Sequence, residues 1–205
     1  MVVVVDYGMG NVYSVLSALR YLGCDPILTN NTQKILEASH LVLPGVGSFK
    51  KGMQSIRERG LDKAITKAVN ERGVKILGIC LGMQLLGSFG DEDGGTEGLN
   101  LIPNKVRLFD SQTLDPEMKI PHVGFNSVRT SEQEGLFKGL PSNADFYFTH
   151  SYRMLNEGLE GRLGKCNYGV DFLAAFETEK VCGAQFHPEK SQTNGLILLK
   201  NFLSL

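Results

Sequence analysis

Val74-Lys75-Ile76-Leu77-Gly78-Ile79-Cys80-Leu81-Gly82-Met83-Gln84 runs an apolar stretch straight into G-x-C-x-G and then into a helical pattern. As a buried strand feeding a helix, it puts Cys80 on the tight turn between them, a nucleophile elbow with sulfur in place of the serine oxygen. The residues two before and two after a nucleophile on such a turn must be small, and Gly78 and Gly82 meet that demand. The helix N-terminus just beyond favours a thiolate through its dipole and free N–H groups. The N–H of Leu81 would then point towards a developing oxyanion. An arbitrary cysteine is more often a buried structural residue, but glycines on both sides of a strand-to-helix switch reverse those odds. The elbow by itself gives a nucleophile and names no substrate.

Outward from the elbow, the first half alternates apolar runs with helical stripes. Val2–Val5 reads as a strand, and Asn11–Leu22 as a helix with Val12, Val15, Leu16, Leu19 and Leu22 on one face. Pro26–Thr29 is a second strand, followed by a helix near Gln33–Ala38. Leu41-Val42-Leu43 is a third, ended by Pro44 and Gly45; helices between Ser48 and Arg72 break at Gly60. Val74–Ile79 is the fourth strand, and Leu81–Phe89 its helix. That order predicts βαβ units, a parallel sheet and helices on both faces. Carboxyl ends of such strands are where α/β sheets bind ligands, which is where Cys80 falls.

The second half differs. Asp91–Gly98 is an acidic, Gly-rich loop, and short strands are expected at Lys105–Phe109, Pro121–Val128, Phe146–Phe148, Gly161–Asn167, Phe172–Phe176 and Val181–Phe186. Turns between them suit antiparallel sheet, and Gly195–Leu205 closes the chain as an amphipathic helix. The expectation is one α/β domain over residues 1–205 with an antiparallel extension.

Bulk properties remove several function classes. Lys and Arg total 21 against 22 Asp and Glu, so there is no basic excess to argue for nucleic acid. The apolar opening Met1–Val5 lacks a basic flank and is too short for a signal core or a membrane span. Cys24, Cys80, Cys166 and Cys182 show no framework spacing, so free thiols in a reducing cytoplasm are expected. No Cys/His cluster has zinc-ligand spacing, so no metal is expected. Gly8-Met9-Gly10 follows a strand, but Tyr13 stands where a dinucleotide fingerprint needs its third glycine, so no nucleotide cofactor is expected either.

A cysteine nucleophile usually needs an imidazole to take its proton. Of His40, His122, His150 and His187, the last stands at the end of an apolar run, in Gln185-Phe186-His187-Pro188-Glu189-Lys190. Glu189 is two residues on, so in extended backbone both side chains face one way, with Pro188 restricting the backbone between them. A carboxylate there fixes the imidazole tautomer and stabilises the imidazolium. In isolation, His-Pro-Glu reads as a surface loop whose His and Glu merely happen to be near each other. His40, just before a core strand, is most simply a strand-edge residue.

Taken together, GICLGMQLL, LPGVGSF, FHPEKS, YFTHSY and the opening DYGMGN resemble the class I (triad) glutamine amidotransferases. Within that class they are most similar to the glutaminase subunits of imidazole glycerol phosphate synthase, and the similarity covers nearly the whole chain. The resemblance implies a flavodoxin-like fold and a catalytic triad of Cys80, His187 and Glu189. It implies an oxyanion hole from Leu81 and the Gly45-Val46-Gly47 loop, where a peptide must reorient before both N–H groups address the oxyanion. It also implies L-glutamine held by Gln84, Glu92, Ser151 and Tyr152, with Glu92 facing the α-ammonium group. Read without the resemblance, Glu92 is one more solvated acid, Ser151-Tyr152 an ordinary strand-to-loop turn, and Pro44–Gly47 a plain connection.

Asn11, Phe125 and Lys190 match positions facing a (β/α)8-barrel cyclase or synthase partner that receives ammonia in histidine biosynthesis. One position departs from the family's pattern: H-M-G-W-N is replaced by His122-Val123-Gly124-Phe125-Asn126. Phe125 supplies an apolar ring but no indole donor. That leaves open a paralogous subunit feeding ammonia to amidination of a surface sugar. A cysteine hydrolase of another class and a non-catalytic interaction subunit are the remaining readings; the intact Cys80, His187 and Glu189 argue against the second of them.

Overall fold

In the computed structural model, which describes residues 1–130 and 132–205, the first half follows the expected alternation. The elements are β1 (Val2–Val5), α1 (Val12–Tyr21), β2 (Ile27–Thr29), α2 (Thr32–Leu36), β3 (His40–Gly45), α3 (Phe49–Glu58), α4 (Leu61–Arg72), β4 (Lys75–Cys80) and α5 (Leu81–Leu85). Gly60 separates α3 from α4 in the left-handed conformation, at φ 65°, which costs a glycine little. After α5 come β5 (Phe89–Gly90), β6 (Thr96–Glu97), β7 (Lys105–Leu108), β8 (His122–Thr130), β9 (Asn143–His150), β10 (Tyr152–Met154), β11 (Arg162–Tyr168), β12 (Val170–Glu177), β13 (Val181–Ala184) and α6 (Gln192–Leu203).

Strands β2-β1-β3-β4-β13 are parallel in that order, the flavodoxin-like order once β13 is counted as the fifth strand. Beyond β13 the sheet turns antiparallel through β12, with β10 and β7 on one branch and β11, β8 and β9 on the other. The period-2 alternation of strand side chains builds two apolar layers. Val3, Val5, Leu41, Leu43 and Ile76 pack with the helical side chains Ile35, Met53, Ile56 and Ile65. Val4, Val42, Leu77 and Ile79 pack on the other face with Val15, Leu19, Leu198 and Phe202. Each fully buried aliphatic side chain contributes about 1.5–3 kcal/mol over leaving it in water, and this double-sided burial holds β4 and its elbow rigid.

Four expectations are corrected. Pro44 and Gly45 do not end β3: β1 pairs with it only as far as Val42, so Pro44 lies where a missing donor is tolerated. The helix after the elbow stops at Leu85, because the N–H groups of Leu99 and Leu101 fold back onto the carbonyls of Leu85 and Leu86, at 2.8 and 2.9 Å. β13 is not part of the antiparallel extension; it inserts parallel to β4, pairing Val181 with Ile76 through to Ala184 with Ile79. Tyr152–Met154, expected as a turn and loop, is a strand paired with β7 and β12. His40 begins β3 and packs its ring edge-on against Phe202, with centroids 5.3 Å apart. Among the described residues no helix is long and apolar enough to cross a membrane.

Candidate active site

Cys80 ends β4 and precedes α5 with φ 54° and ψ −113°, a conformation that non-glycine residues adopt only when their surroundings impose it. The imposition is visible at both glycines. A Cβ on Gly82 would lie 1.7 Å from the Leu43 carbonyl oxygen, and one on Gly78 would lie 2.6 Å from the Met83 backbone. Strand, turn and helix are thus pressed together too closely for any side chain at those positions, so the elbow cannot relax into a regular helix start. Leu81 is the first residue of α5, and the first N–H groups of a helix have no intrahelical acceptor.

His187, distant in sequence, comes to the elbow because β13 lies beside β4 and the chain leaves it towards Cys80. Its backbone N–H donates to the Tyr147 carbonyl at 2.9 Å; Ser191 Oγ donates to the His187 carbonyl at 2.6 Å and accepts from the Tyr147 N–H at 2.9 Å. The backbone after His187 is not extended as expected but turns into a short 3₁₀ segment, Pro188–Lys190. Even so, His187 Nδ1 and Glu189 Oε1 lie 2.7 Å apart, with side chains 2% and 1% exposed.

That bond assigns Nδ1 as the protonated nitrogen and leaves Nε2 for chemistry. Nε2 is buried without a well-formed hydrogen bond among the described residues. Burial alone would pull the His187 imidazole down, but its close approach to Cys80, its bond to Glu189 and the charges of both outweigh this and hold it at about 9. Cys80 therefore acts on Nε2 at short range without an aligned bond, a situation common before substrate arrives.

A cavity of about 360 Å³ opens over Cys80, lined by Val46, Gly47, Leu81, Gln84 and Glu92 on one side and by Pro121 and Thr149–Tyr152 on the other. Every substrate residue expected from the sequence is there. Glu92 is not simply solvated: its Oε2 accepts the Phe49 N–H at 2.6 Å, at the N-terminus of α3, which fixes its charge at the cavity wall. Gln84, 6% exposed, donates from Nε2 to the Tyr152 carbonyl at 3.0 Å and to Gln185 Oε1 at 2.9 Å, which leaves its own oxygen for a ligand. Gly45 does not line the cavity. A Cβ there would lie 2.3 Å from the Tyr7 hydroxyl and 2.8 Å from the Gly82 nitrogen, so its contribution is to let β3 approach the elbow.

Four neighbours of Cys80 were given no role in the sequence reading. Its Sγ donates to the Thr149 carbonyl at 3.8 Å and accepts from Gln185 Nε2 at 3.8 Å. The Tyr7 hydroxyl is buried without a partner among the described residues, and burial followed by the charge of Cys80 pushes its ionisation up. His150 shares the cavity wall. Each stands in or beside a stretch already singled out: Tyr7 in DYGMGN, Thr149 and His150 in YFTHSY, and Gln185 two residues before His187. The partner-facing candidates lie elsewhere: Phe125 is 53% exposed and meets Tyr147 edge-on at 5.6 Å, and Lys190 Nζ sits 5.8 Å above the same ring. Asn11 precedes α1 and donates to Ser14 Oγ at 2.8 Å.

The sequence model of the family described as "Glutamine amidotransferase class-I" matches residues 3–204. The chain belongs to the class-I glutamine amidotransferase family. Among class-I relatives, the imidazole glycerol phosphate synthase subunit HisH 1 of Parasynechococcus marenigrum (strain WH8102) is 46% identical, the match covering 99% of this chain and 97% of that one. The imidazole glycerol phosphate synthase subunit HisH of Moorella thermoacetica is 43% identical, over 98% and 93% of the two chains. Among solved structures, PurLQS from Thermotoga maritima superposes with a TM-score of 0.73 at 18% identity, covering 99% of this chain and 97% of that one. The glutaminase domain of CTPS from Trypanosoma brucei, solved with bound acivicin, gives 0.67 at 15%, covering 99% and 93%. At such identities the structures speak for the fold, which is that of the class-I glutamine amidotransferases.

Proposed function

We propose that residues 1–205 form one glutaminase unit that hydrolyses L-glutamine to glutamate and ammonia, and that it works as the glutaminase subunit of an imidazole glycerol phosphate synthase in histidine biosynthesis. The observation that carries the reading is the cavity itself, which gathers Cys80, Leu81, Gln84, Glu92, Ser151 and Tyr152 around one strained thiol. Glutamine fits the chemistry of its walls: Glu92 offers a fixed negative charge for the α-ammonium group, and the carboxamide reaches Cys80.

Cys80 passes its proton to His187 Nε2, and the thiolate adds to the carboxamide carbon. The oxyanion is received by the N–H of Leu81 and by the Gly45-Val46-Gly47 loop once its peptide turns. Collapse breaks the C–N bond, and ammonia leaves carrying the proton from His187. His187 then takes a proton from water, hydroxide attacks the glutamyl thioester, and glutamate departs as Cys80 is regenerated. Glu189 holds the imidazole in the tautomer that both halves need. No step calls for a metal or a cofactor.

Ammonia then passes to a (β/α)8-barrel cyclase or synthase subunit docked at the face bearing Asn11, Phe125 and Lys190, in a reducing cytoplasm where the four cysteines remain thiols. The names of the relatives support the histidine pathway. Phe125, where the family's pattern has tryptophan, is compatible with either this pathway or the second reading, a paralogue serving sugar amidination. The test is glutamate release from glutamine by the purified chain, alone and with the histidine-pathway synthase subunit and its ligand. We expect at least tenfold stimulation by that partner. No release under either condition would sink the glutaminase reading, and release without stimulation would sink the histidine-pathway partner.

A further inference from the structure

β8 presents two unlike faces. Val123 and Phe125 point outward, 57% and 53% exposed, whereas His122 is buried at 3%. From the inner face a line of hydrogen bonds runs to the cavity. Asn126 Nδ2 lies 3.4 Å from His122 Nε2, His122 Nδ1 lies 3.1 Å from His150 Nε2, and His150 Nδ1 lies 2.8 Å from the Tyr152 carbonyl.

The last link decides every proton. A carbonyl only accepts, so His150 Nδ1 carries hydrogen. Burial holds both rings neutral, His122 at about 4 and His150 at about 3. A neutral His150 therefore accepts at Nε2, and His122 Nδ1 must donate to it. His122 Nε2 is then bare and takes the Asn126 amide. All donors point one way, from β8 towards Tyr152. His122 cannot swing out of line, because its ring is stacked between Phe148 at 4.7 Å and Tyr168 at 4.0 Å. The Tyr152 carbonyl receives a second bond from Gln84, at 3.0 Å, so the Tyr152–Arg153 peptide is held by His150 and Gln84 together.

We propose that His122 and His150 are positioning residues: their one-directional hydrogen-bond chain sets the Tyr152 backbone in the cavity and ties it to the inner face of β8. The inference deepens the glutaminase reading and rests on it for the identity of the substrate. His122→Phe keeps an aromatic ring between Phe148 and Tyr168 but removes the donor. His122→Asn restores a donor, since its Nδ2 takes roughly the place of Nδ1.

The experiment has two arms. In the first, L-glutamine binding is measured by calorimetry in a Cys80→Ala background, where turnover is removed. His122→Phe should weaken binding about five- to tenfold, as for one lost buried hydrogen bond, and His122→Asn should recover most of it. Unchanged binding in His122→Phe, or equal loss in both variants, would overturn the proposal. In the second, ¹⁵N shifts of the imidazoles in the otherwise unaltered chain should report the Nδ1–H tautomer at both His122 and His150; an Nε2–H tautomer at either overturns the chain whatever the substrate is. A Cys80→Ala parent that does not bind glutamine at all counts against the glutaminase reading instead, with the tautomer arm still deciding the hydrogen-bond chain.

Discussion

The parallel strands and the antiparallel strands of this sheet do different work at one cavity. β1, β3, β4 and β13 are buried on both faces, and they fix the thiol of Cys80 by contacts so close that Gly78 and Gly82 tolerate no side chain. β8 and β9 are half-buried, alternating inward and outward side chains. Thr149, His150, Ser151 and Tyr152 line the cavity from this half, and the backbone of Tyr147 grips His187. The strained thiol is therefore set on strands packed from both faces, and part of the cavity wall is carried by strands with one exposed face.

The sharpest way to break that contrast is Cys80→Ala. Glutamine-dependent turnover should fall about 10⁴-fold or more, while a complex with the synthase partner still uses free ammonia. The same variant removes part of what raises His187: the proximity and charge of Cys80 push it up, as do the bond to Glu189 and its charge, and burial pushes down. The imidazole should therefore fall from about 9, with Glu189 left alone to oppose burial, read from its NMR titration. A value that stays near 9 would mean Cys80 is not the group acting on it.

Next in size is Gly82→Ala, with its Cβ 1.7 Å from the Leu43 oxygen. A loss of about 3 kcal/mol or more in denaturant unfolding is expected, and full stability would show that the parallel half is more compliant than described. Glu92→Gln should act on binding: KM for glutamine up by about 10- to 50-fold, near 2 kcal/mol, with kcat changed far less. A kcat loss with KM unchanged would place Glu92 in the chemistry instead. The smallest effect belongs to Phe125→Ala on the outer face of β8, which should reduce stimulation by the partner about three- to tenfold and leave the isolated chain's activity unaltered.

How much of this was legible depends on how local the cause is. The first half was readable almost strand by strand because β-branched runs and 3.6-residue stripes are statements about a chain and its own neighbours. Cys80 was readable for the same reason: the need for small residues at Gly78 and Gly82 is a demand of one tight turn. His187 and Glu189 were found as a pair, but through the wrong local geometry, since the backbone between them turns where extended chain was expected. Glu92 was read as a charge facing the substrate, and its anchoring by the Phe49 N–H could not be foreseen, because those residues are 43 positions apart. The shortened helix after Cys80 fails likewise, being ended by backbone bonds from Leu99 and Leu101.

The sequence by itself determined a doubly wound α/β layout, an elbow with one reactive sulfur, and an imidazole–carboxylate pair of the right types to serve it. It determined these because burial periodicity, turn sterics and side-chain chemistry are properties of short stretches. Tertiary structure alone decided that β13 slides in parallel beside β4, and so brings His187 to Cys80 across more than a hundred residues. It alone paired His122 with His150 across β8 and β9, and walled the cavity with both halves of the chain. Pairing between distant strands is chosen by which faces must be buried together, and that choice exists only once the whole chain has folded.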